Sequence, residues 1–430
     1  MATRRDESED PVPVPLLRAT AALLAACALS LSAATPSPAK TVTGDGSPVT
    51  NSAGVTFGVL SHRGGLLQWP ENSMEAFTHS VEEGFDAIET DVLFTKDGHA
   101  VLNHYDKLTA RCTHTGQSIH LMTLAQVAEV RCEDREGRKT VPIPTLVELA
   151  ELLADHADVG LALDIKAYTG QPVSSRAAYA TKALGIAEDH GLLGRTSIIS
   201  FHWEATLPAI RKIAPELPVV ALDYAKVDLD RVRLAAKLGA DAFGLRMKDT
   251  SAYWARYVKA KGMDPTPWEV SGDEQLAFTI HYGGRRHLLS TDTPSRTQAD
   301  LISGRININP VPVATLTKLR SPVTISDTTY RANQRQYKQV LGKAVPTAAV
   351  AQLDTVTVAI TVRGGRGKGS LYVGANSSPL SSSVRAALPR GTRTITLKAP
   401  LGDGGKLRIY TTATVRLTVK VLGYTRIRFA

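Results

Sequence analysis

The chain has 430 residues, 43% of them hydrophobic and 21% charged, with a formal charge of +9. That length exceeds one comfortable hydrophobic core, so two domains are expected, and the composition is ordinary for a globular protein. Beyond the N-terminus no window is long and apolar enough to span a bilayer, which excludes a transmembrane segment in the mature chain.

In chain order, Arg4, Arg5 and Arg18 precede an apolar run from Ala19 to Ala34. This predicts a signal peptide over residues 1–34, cleaved after Ala34, and hence a secreted protein. The stretch Leu24-Ala25-Ala26-Cys27 offers the alternative of a lipid anchor through Cys27. Residues 35–53, rich in Pro, Ser, Thr and Gly, are expected to be a loose linker. From residue 54 to 309, short apolar strands alternate with amphipathic helices, the mark of a parallel α/β fold. Strands are predicted near 57–61, 87–92, 160–165, 196–201, 218–223, 241–246, 267–270 and 287–291. Helices are predicted between them, near 73–83, 145–156, 177–190, 204–213, 228–238 and 252–261. That succession fits a (β/α)8 TIM barrel. An additional strand, Ala100 to His104, follows the turn Lys96-Asp97-Gly98 too closely for a parallel crossover. It therefore predicts an extra β-hairpin that folds His104 back toward Asp91. Residues 310–350 read as a linker or the start of a domain. From 351 to 430 the pattern is of short strands with Gly, Pro and Ser turns, an all-β sandwich.

The charge is uneven along this plan. Residues 311–430 hold seven Lys and twelve Arg against three Asp, a net of +16. A basic exported domain of this kind favours anionic cell-envelope polymers or lipid head groups. No specific nucleic-acid partner is expected. After cleavage two cysteines remain, Cys112 and Cys132. In an exported chain they predict one disulfide, which would stabilise by about 3 kcal/mol in the chain-entropy treatment.

The block from Ser61 to Asp106 reads SHRGG, PENSMEAF, then GFDAIETDVLFTKDGHAVLNHYD. Glu89 and Asp91 lie two residues apart on one strand and so share a face. Such a pair is costly unless a cation neutralises it, and His62 and His104 beside it suggest acid–base chemistry on an oxygen-rich substrate. In a (β/α)8 barrel, chemistry gathers at the C-terminal ends of the strands, where His62, Glu89, Asp91, Asp164, Lys166, Ser200 and Asp292 are all expected.

These motifs, with IPTL at Ile143–Leu146, D-x-K at Asp164–Lys166 and TDTP at Thr291–Pro294, resemble the glycerophosphodiester phosphodiesterase family over residues 57–305. The resemblance implies a phosphoric diester hydrolase that splits a glycerophosphodiester into glycerol 3-phosphate and an alcohol. It implies His62 and His104 as the acid–base pair. Glu89, Asp91 and Asp164 would be ligands of a divalent metal, Ca²⁺ or Mg²⁺, since three carboxylates suit hard cations. Arg63 and Lys166 would hold the phosphate, and Trp268 would wall the alcohol. Two positions depart from the family pattern. Asp164 stands where the family has Glu, which leaves open a same-fold enzyme acting on lysophospholipid or sphingomyelin. Tyr105 follows His104 where the family has Asp, so Asp106 is expected to substitute from the opposite face. The remaining histidines, His120 among them, show no site spacing. The closing strands loosely resemble a β-sandwich module of exported actinobacterial proteins, a resemblance that assigns no activity. A barrel retained only as an inactive envelope-binding module is the alternative from another class.

Overall fold

The structure, a computed structural model, describes residues 47–224, 229–270, 272–283, 286–346, 353–375, 383–401 and 405–429. The expected signal peptide, Cys27 and most of the expected linker lie outside them. Among the described residues no helix is long and apolar enough to cross a membrane.

The first half is a parallel α/β barrel sheet. Its strands are β1 (Thr56–Ser61) and β2 (Ala87–Phe94), with β3 (Ala100–Leu102) folded back on β2. An excursion carries the short pair β4 (Arg131–Glu133) and β5 (Thr140–Pro142). The barrel then continues through β6 (Gly160–Ile165), β7 (Thr196–Ser200), β8 (Val219–Asp223), β9 (Ala242–Leu245), β10 (Asp264–Pro265) and β11 (Arg286–Thr291). The parallel order is β10-β9-β8-β7-β6-β2-β1-β11, with β3 attached antiparallel to β2. Every residue of β2 is buried, as expected for a parallel strand covered on both faces.

Between the strands run α1 (Met74–Glu82), α2 (Leu124–Ala128), α3 (Leu146–Ala154), α4 (Val173–Asp189), α5 (Trp203–Ile213), α6 (Leu229–Leu238), α7 (Ala252–Lys259), α8 (Asp273–Tyr282) and α9 (Pro294–Ile302). Their starts are set by local chemistry. Ser73 accepts from the Ala76 amide at the head of α1, and Thr145 and Glu148 form a capping box on α3. The helices pack Phe77, Leu149, Leu153, Leu184, Leu207 and Trp254 onto the sheet in one continuous core.

Two expectations need correction here. The seventh barrel strand is Asp264–Pro265, not 267–270; Trp268 makes only an isolated bridge to Arg246. The end of the supposed loose linker is packed. Val49 is buried against Phe57 and Val59, and its carbonyl accepts from the Phe57 amide at 2.9 Å. Of the two readings of residues 310–350, a linker or the start of a domain, the second holds for the described ones. They form β12 (Pro312–Tyr330) and β13 (Arg335–Gln339), the opening strands of the second half.

That half continues with β14 (Leu353–Arg366), β15 (Ser370–Ala375), β16 (Val384–Ala387), β17 (Arg390–Ala399), β18 (Lys406–Thr411) and β19 (Val415–Phe429). Two four-stranded sheets result, β12-β19-β14-β17 and β13-β18-β15-β16. Alternation along β14 and β19 sends Val356, Val358, Ile360, Leu417, Val419 and Val421 into a shared core. The two halves belong to one compact unit. Phe429 meets Phe278, His281 and Tyr282 of α8 at 5.3–6.5 Å, and Arg256 pairs with Asp354 at 2.5 Å.

Candidate active site

The expected residues converge where the barrel strands end. After β1 the chain turns sharply at Arg63, Gly64 and Gly65, whose φ values of 52°, 79° and 95° are all left-handed. Gly64 is required there, since a Cβ would lie 2.6 Å from the Ala76 Cβ. The turn aims the Arg63 amide at Glu89 Oε2, 2.9 Å away. It also brings the Arg63 guanidinium to Glu71 at 2.6 Å and to Asp91 at 3.1 Å. The contact with Asp91 is one of charge, because Arg63 Nε is not aligned on any acceptor.

Glu89 and Asp91 of β2 and Asp164 of β6 are buried, and each offers an oxygen within 4.8 Å of the others. The parallel register that sets Asp91 beside Asp164 makes the cluster. Lys166 lies on it, 2.7 Å from Asp91 and 2.5 Å from Asp164. Burial, and then Asp91 beside it, pushes the Glu89 carboxyl up to about 7. Burial likewise raises Asp164. Asp91 goes the other way: burial opposes its ionisation, but Lys166 and Arg63 hold it well below the usual carboxylate range. Asp164 Oδ1 is buried with no protein partner. An orphaned carboxylate oxygen in a cluster of hard-oxygen donors fits a divalent cation.

His62 Nδ1 stands 2.6 Å from Asp292 Oδ1, and its Nε2 lies 3.9 Å from Glu89. Burial alone would lower its pKa, but Glu89 and Asp292 outweigh burial and raise it. His104 follows β3 and faces the same cluster from the hairpin. There burial dominates, and with Lys166 and Arg63 nearby its pKa is lowered to about 4 despite Asp91. The two imidazoles are therefore pushed in opposite directions by their surroundings.

A cleft of about 510 Å³ opens beside His104, Asp164 and Lys166 and extends to Ser118, His120 and Tyr168. One wall is Phe201 and Tyr224, stacked at 4.2 Å. Trp268 meets both rings edge-on at 5.3 and 5.5 Å and is not itself in the cleft lining. Arg246 lies over Trp268 at 4.9 Å.

Three residues at or beside the site were not assigned roles from sequence. Asp292 is the partner of His62. Asn72, itself left-handed at φ 55°, donates to Asp91 at 2.8 Å and accepts from the Thr90 hydroxyl at 2.8 Å, fixing the carboxylate. His120 lies in the cleft, stacked on Tyr168 at 3.9 Å. Its ring is held by Asp106, 2.8 Å from Nδ1. Asp106 thus corrects a further expectation: its carboxylate grips His120 and does not orient His104, whose Nδ1 is buried without a partner. The loop bearing Asp106 and His120 is tied down by the Cys112–Cys132 disulfide, whose Cα atoms are 4.0 Å apart.

The glycerophosphoryl diester phosphodiesterase family profile matches residues 62–285, just over half the chain. A glycerophosphodiester phosphodiesterase of Caldanaerobacter subterraneus is 33% identical over 231 residues, covering 52% of this chain and 90% of the relative. A Mycobacterium tuberculosis protein described as a candidate glycerophosphodiester phosphodiesterase is 29% identical over 268 residues, covering 58% of this chain and 94% of its own length. Among crystal structures, a candidate glycerophosphoryl diester phosphodiesterase from Silicibacter pomeroyi superimposes with a TM-score of 0.52 at 25% identity, covering 60% of this chain and 97% of the other.

Proposed function

Because this chain belongs to the glycerophosphoryl diester phosphodiesterase family, we propose that it hydrolyses glycerophosphodiesters to glycerol 3-phosphate and an alcohol at the His62–His104 centre. The convergence of two histidines on one buried carboxylate cluster carries the reading, with their pKa values pushed in opposite directions. His104, neutral at working pH, takes the proton of the attacking oxygen. His62 holds a proton on Nε2 while Nδ1 donates to Asp292, and it gives that proton to the departing alcohol oxygen as the phosphorus–oxygen bond breaks. Each proton lost by the nucleophile is thus balanced by one gained by the alcohol. Arg63 and Lys166 supply positive charge to the phosphoryl oxygens.

Glu89, Asp91 and Asp164 would hold the divalent cation, Ca²⁺ or Mg²⁺. When bound, that ion polarises the phosphoryl group and compensates its charge. The buried carboxylates fix the place of that charge.

The cleft beside His104 takes the glycerol arm of the substrate. Its lining offers polar side chains, His104, Asp106, Lys107, Ser118, His120 and His202 among them. A lysophospholipid or sphingomyelin would need an apolar trench for its chain; the apolar part of this cleft is the wall of Phe201 and Tyr224 with Ile165. Export is supported by the disulfide, which suits an oxidising compartment. The deciding experiment is turnover of glycerophosphoethanolamine, lysophosphatidylcholine and sphingomyelin, with and without chelator. Release of glycerol 3-phosphate from the first, sensitive to chelator, is expected. Turnover confined to the lipids, or turnover of none, would overturn the reading.

A further inference from the structure

The outer face of the sheet β12-β19-β14-β17 carries a cation array with almost no counter-charge. Register fixes which side chains share it. Val358, Ile360 and Val362 of β14 point into the sandwich core, so Ala359, Thr361 and Arg363 point out. Opposite them on β19 lie Lys420, Thr418 and Arg416. On β17, Lys398, Thr396 and Thr394 pair with Thr357, Ala359 and Thr361. Past a bulge, Arg366 pairs with Arg390. Arg363, Arg366, Arg390, Lys398, Arg416 and Lys420 are all exposed.

Two of the cross-strand pairs are therefore arginine against arginine, Arg363 with Arg416 and Arg366 with Arg390. Like charges directly opposite on a sheet destabilise it. Of the six cations, only Arg416 has a carboxylate partner among the described residues, Asp327 at 3.5 Å. A surface serving solubility alone gains nothing from opposing like charges, whereas an anion laid between them relieves the repulsion.

The layout also limits the anion. Arg416 and Lys420 are four residues apart on β19, which spans about 13 Å at the usual strand rise, and neighbouring strands add about 4.8 Å each. A single phosphate cannot bridge such an array, but a chain of regularly repeated phosphates can. The positions between the cations carry Thr324, Thr329, Thr361, Thr394 and Ala359. The threonines offer hydroxyls to phosphate oxygens, and none of the five is a large apolar side chain that could enter a bilayer.

We propose that this face binds a linear polyanion with repeating phosphate groups. The inference goes beyond the reaction proposed above and does not depend on it. It is tested with the full chain and fluorescein-labelled linear polyphosphate, by anisotropy at about 50 and 200 mM salt. The variant Arg363→Gln/Arg366→Gln/Lys420→Gln is expected to lose at least about tenfold in affinity. Its slope of log affinity against log salt should fall by about 0.7 per cation removed. The control Arg335→Gln/Lys343→Gln/Lys406→Gln removes the same charge from exposed positions outside this face and should bind nearly as the unaltered chain. Neither triple variant should lower the thermal midpoint, and both should keep the turnover of glycerophosphoethanolamine. Three results would overturn the proposal: equal loss in both triple variants, no loss in the first, or binding to phosphatidylglycerol vesicles with none to polyphosphate. Absent turnover in the unaltered chain would count against the reaction alone and leave the binding result standing.

Discussion

His62 Nδ1 and Asp292 Oδ1 lie 2.6 Å apart although 230 residues separate them, because the first and last barrel strands pair in register up to Ser61 and Thr291. The bond fixes the imidazole tautomer, with Nε2 left to face Glu89. It also helps keep His62 protonated above its ordinary range against the effect of burial. In the proposed mechanism His62 is the acid, so kcat/KM falls on the alkaline side as it loses its proton. Asp292→Asn removes the charge that retains that proton, and the alkaline limb is expected to move to lower pH. The acidic limb, set by His104 near pH 4, should stay in place. A pH profile of kcat/KM for both proteins decides it, and an unmoved alkaline limb would defeat the assignment of His62 as acid.

Single replacement of either histidine should slow the chemical step without unfolding the barrel. His62→Ala and His104→Ala are each expected to lower kcat by roughly 10²–10⁴, the usual span for proton-transfer groups. Both side chains are only partly buried, so thermal midpoints should change little. Wild-type kcat in either variant would remove that residue from the mechanism.

The carboxylate cluster predicts both a cation requirement and a pH-dependent stability. Chelation should abolish turnover, and Ca²⁺ or Mg²⁺ should restore it in the unaltered chain but not in Asp91→Asn. Without the cation, folded Glu89 keeps its proton up to about 7, whereas an ordinary carboxyl releases it near 4.5. Between those values the folded state binds more protons than the unfolded one, so stability falls as pH rises through that window. Cation binding relieves the repulsion and, at a hundredfold excess over its dissociation constant, adds about 2.7 kcal/mol. Denaturant titrations at two pH values, with and without cation, measure both effects. Turnover unchanged in excess chelator would sink the metal reading.

What the sequence disclosed depended on how local each relation was. Glu89, Asp91 and the hairpin that returns His104 sit within one short stretch, and strand alternation alone puts the carboxylates on one face. The Cys112–Cys132 pairing followed from there being only two cysteines in the expected mature chain. Asp292 was visible as a strand-end residue, but its bond to His62 exists only because the sheet pairs β1 with β11. The geometry of the turn at Asn72 rests on a positive φ that no spacing reveals, although the residue stands inside the PEN motif. The strand β12 was legible only in part, as the start of a domain, because its first half is largely exposed and lacks an apolar alternation. His120 carried no spacing signal, since the loop that ends at it folds back on Asp106 through contacts of its own.

His120 gives a prediction about the glycerol arm. Its ring is braced by Asp106 and Tyr168 and lies in the cleft, 22% exposed. With Nδ1 donating to Asp106, Nε2 is left as an acceptor for a substrate hydroxyl. His120→Phe keeps the stacking and removes that acceptor. It should raise KM for glycerophosphoethanolamine about tenfold, as expected for one lost hydrogen bond of ~1.4 kcal/mol. Hydrolysis of bis(p-nitrophenyl) phosphate, which has no glycerol, should be unaffected. Equal losses on both substrates would make His120 a structural residue only.

The C-terminal half reads from sequence as a separable basic domain, and its packing predicts otherwise. Phe429 and Ile427, at the end of β19, pack on the barrel core, where Phe429 meets Phe278 and Tyr282 of α8. Arg256 of α7 pairs with Asp354 of β14 across the same junction. Removing residues 312–429 would uncover these rings and leave Arg256 without that partner, so the truncated barrel should be less stable and more prone to aggregate. A point variant isolates the effect. Phe429→Ala deletes one partly buried ring and is expected to cost about 2 kcal/mol, the range of a typical packing loss. Because α8 leads into β11, and β11 into Asp292, the loss should appear in the barrel's own unfolding transition. Denaturant unfolding followed both by far-ultraviolet circular dichroism and by retained diesterase activity separates the possibilities. A midpoint that shifts by both measures supports a shared cooperative unit, whereas activity that survives unchanged while only the β-rich signal moves would show that the two halves unfold independently.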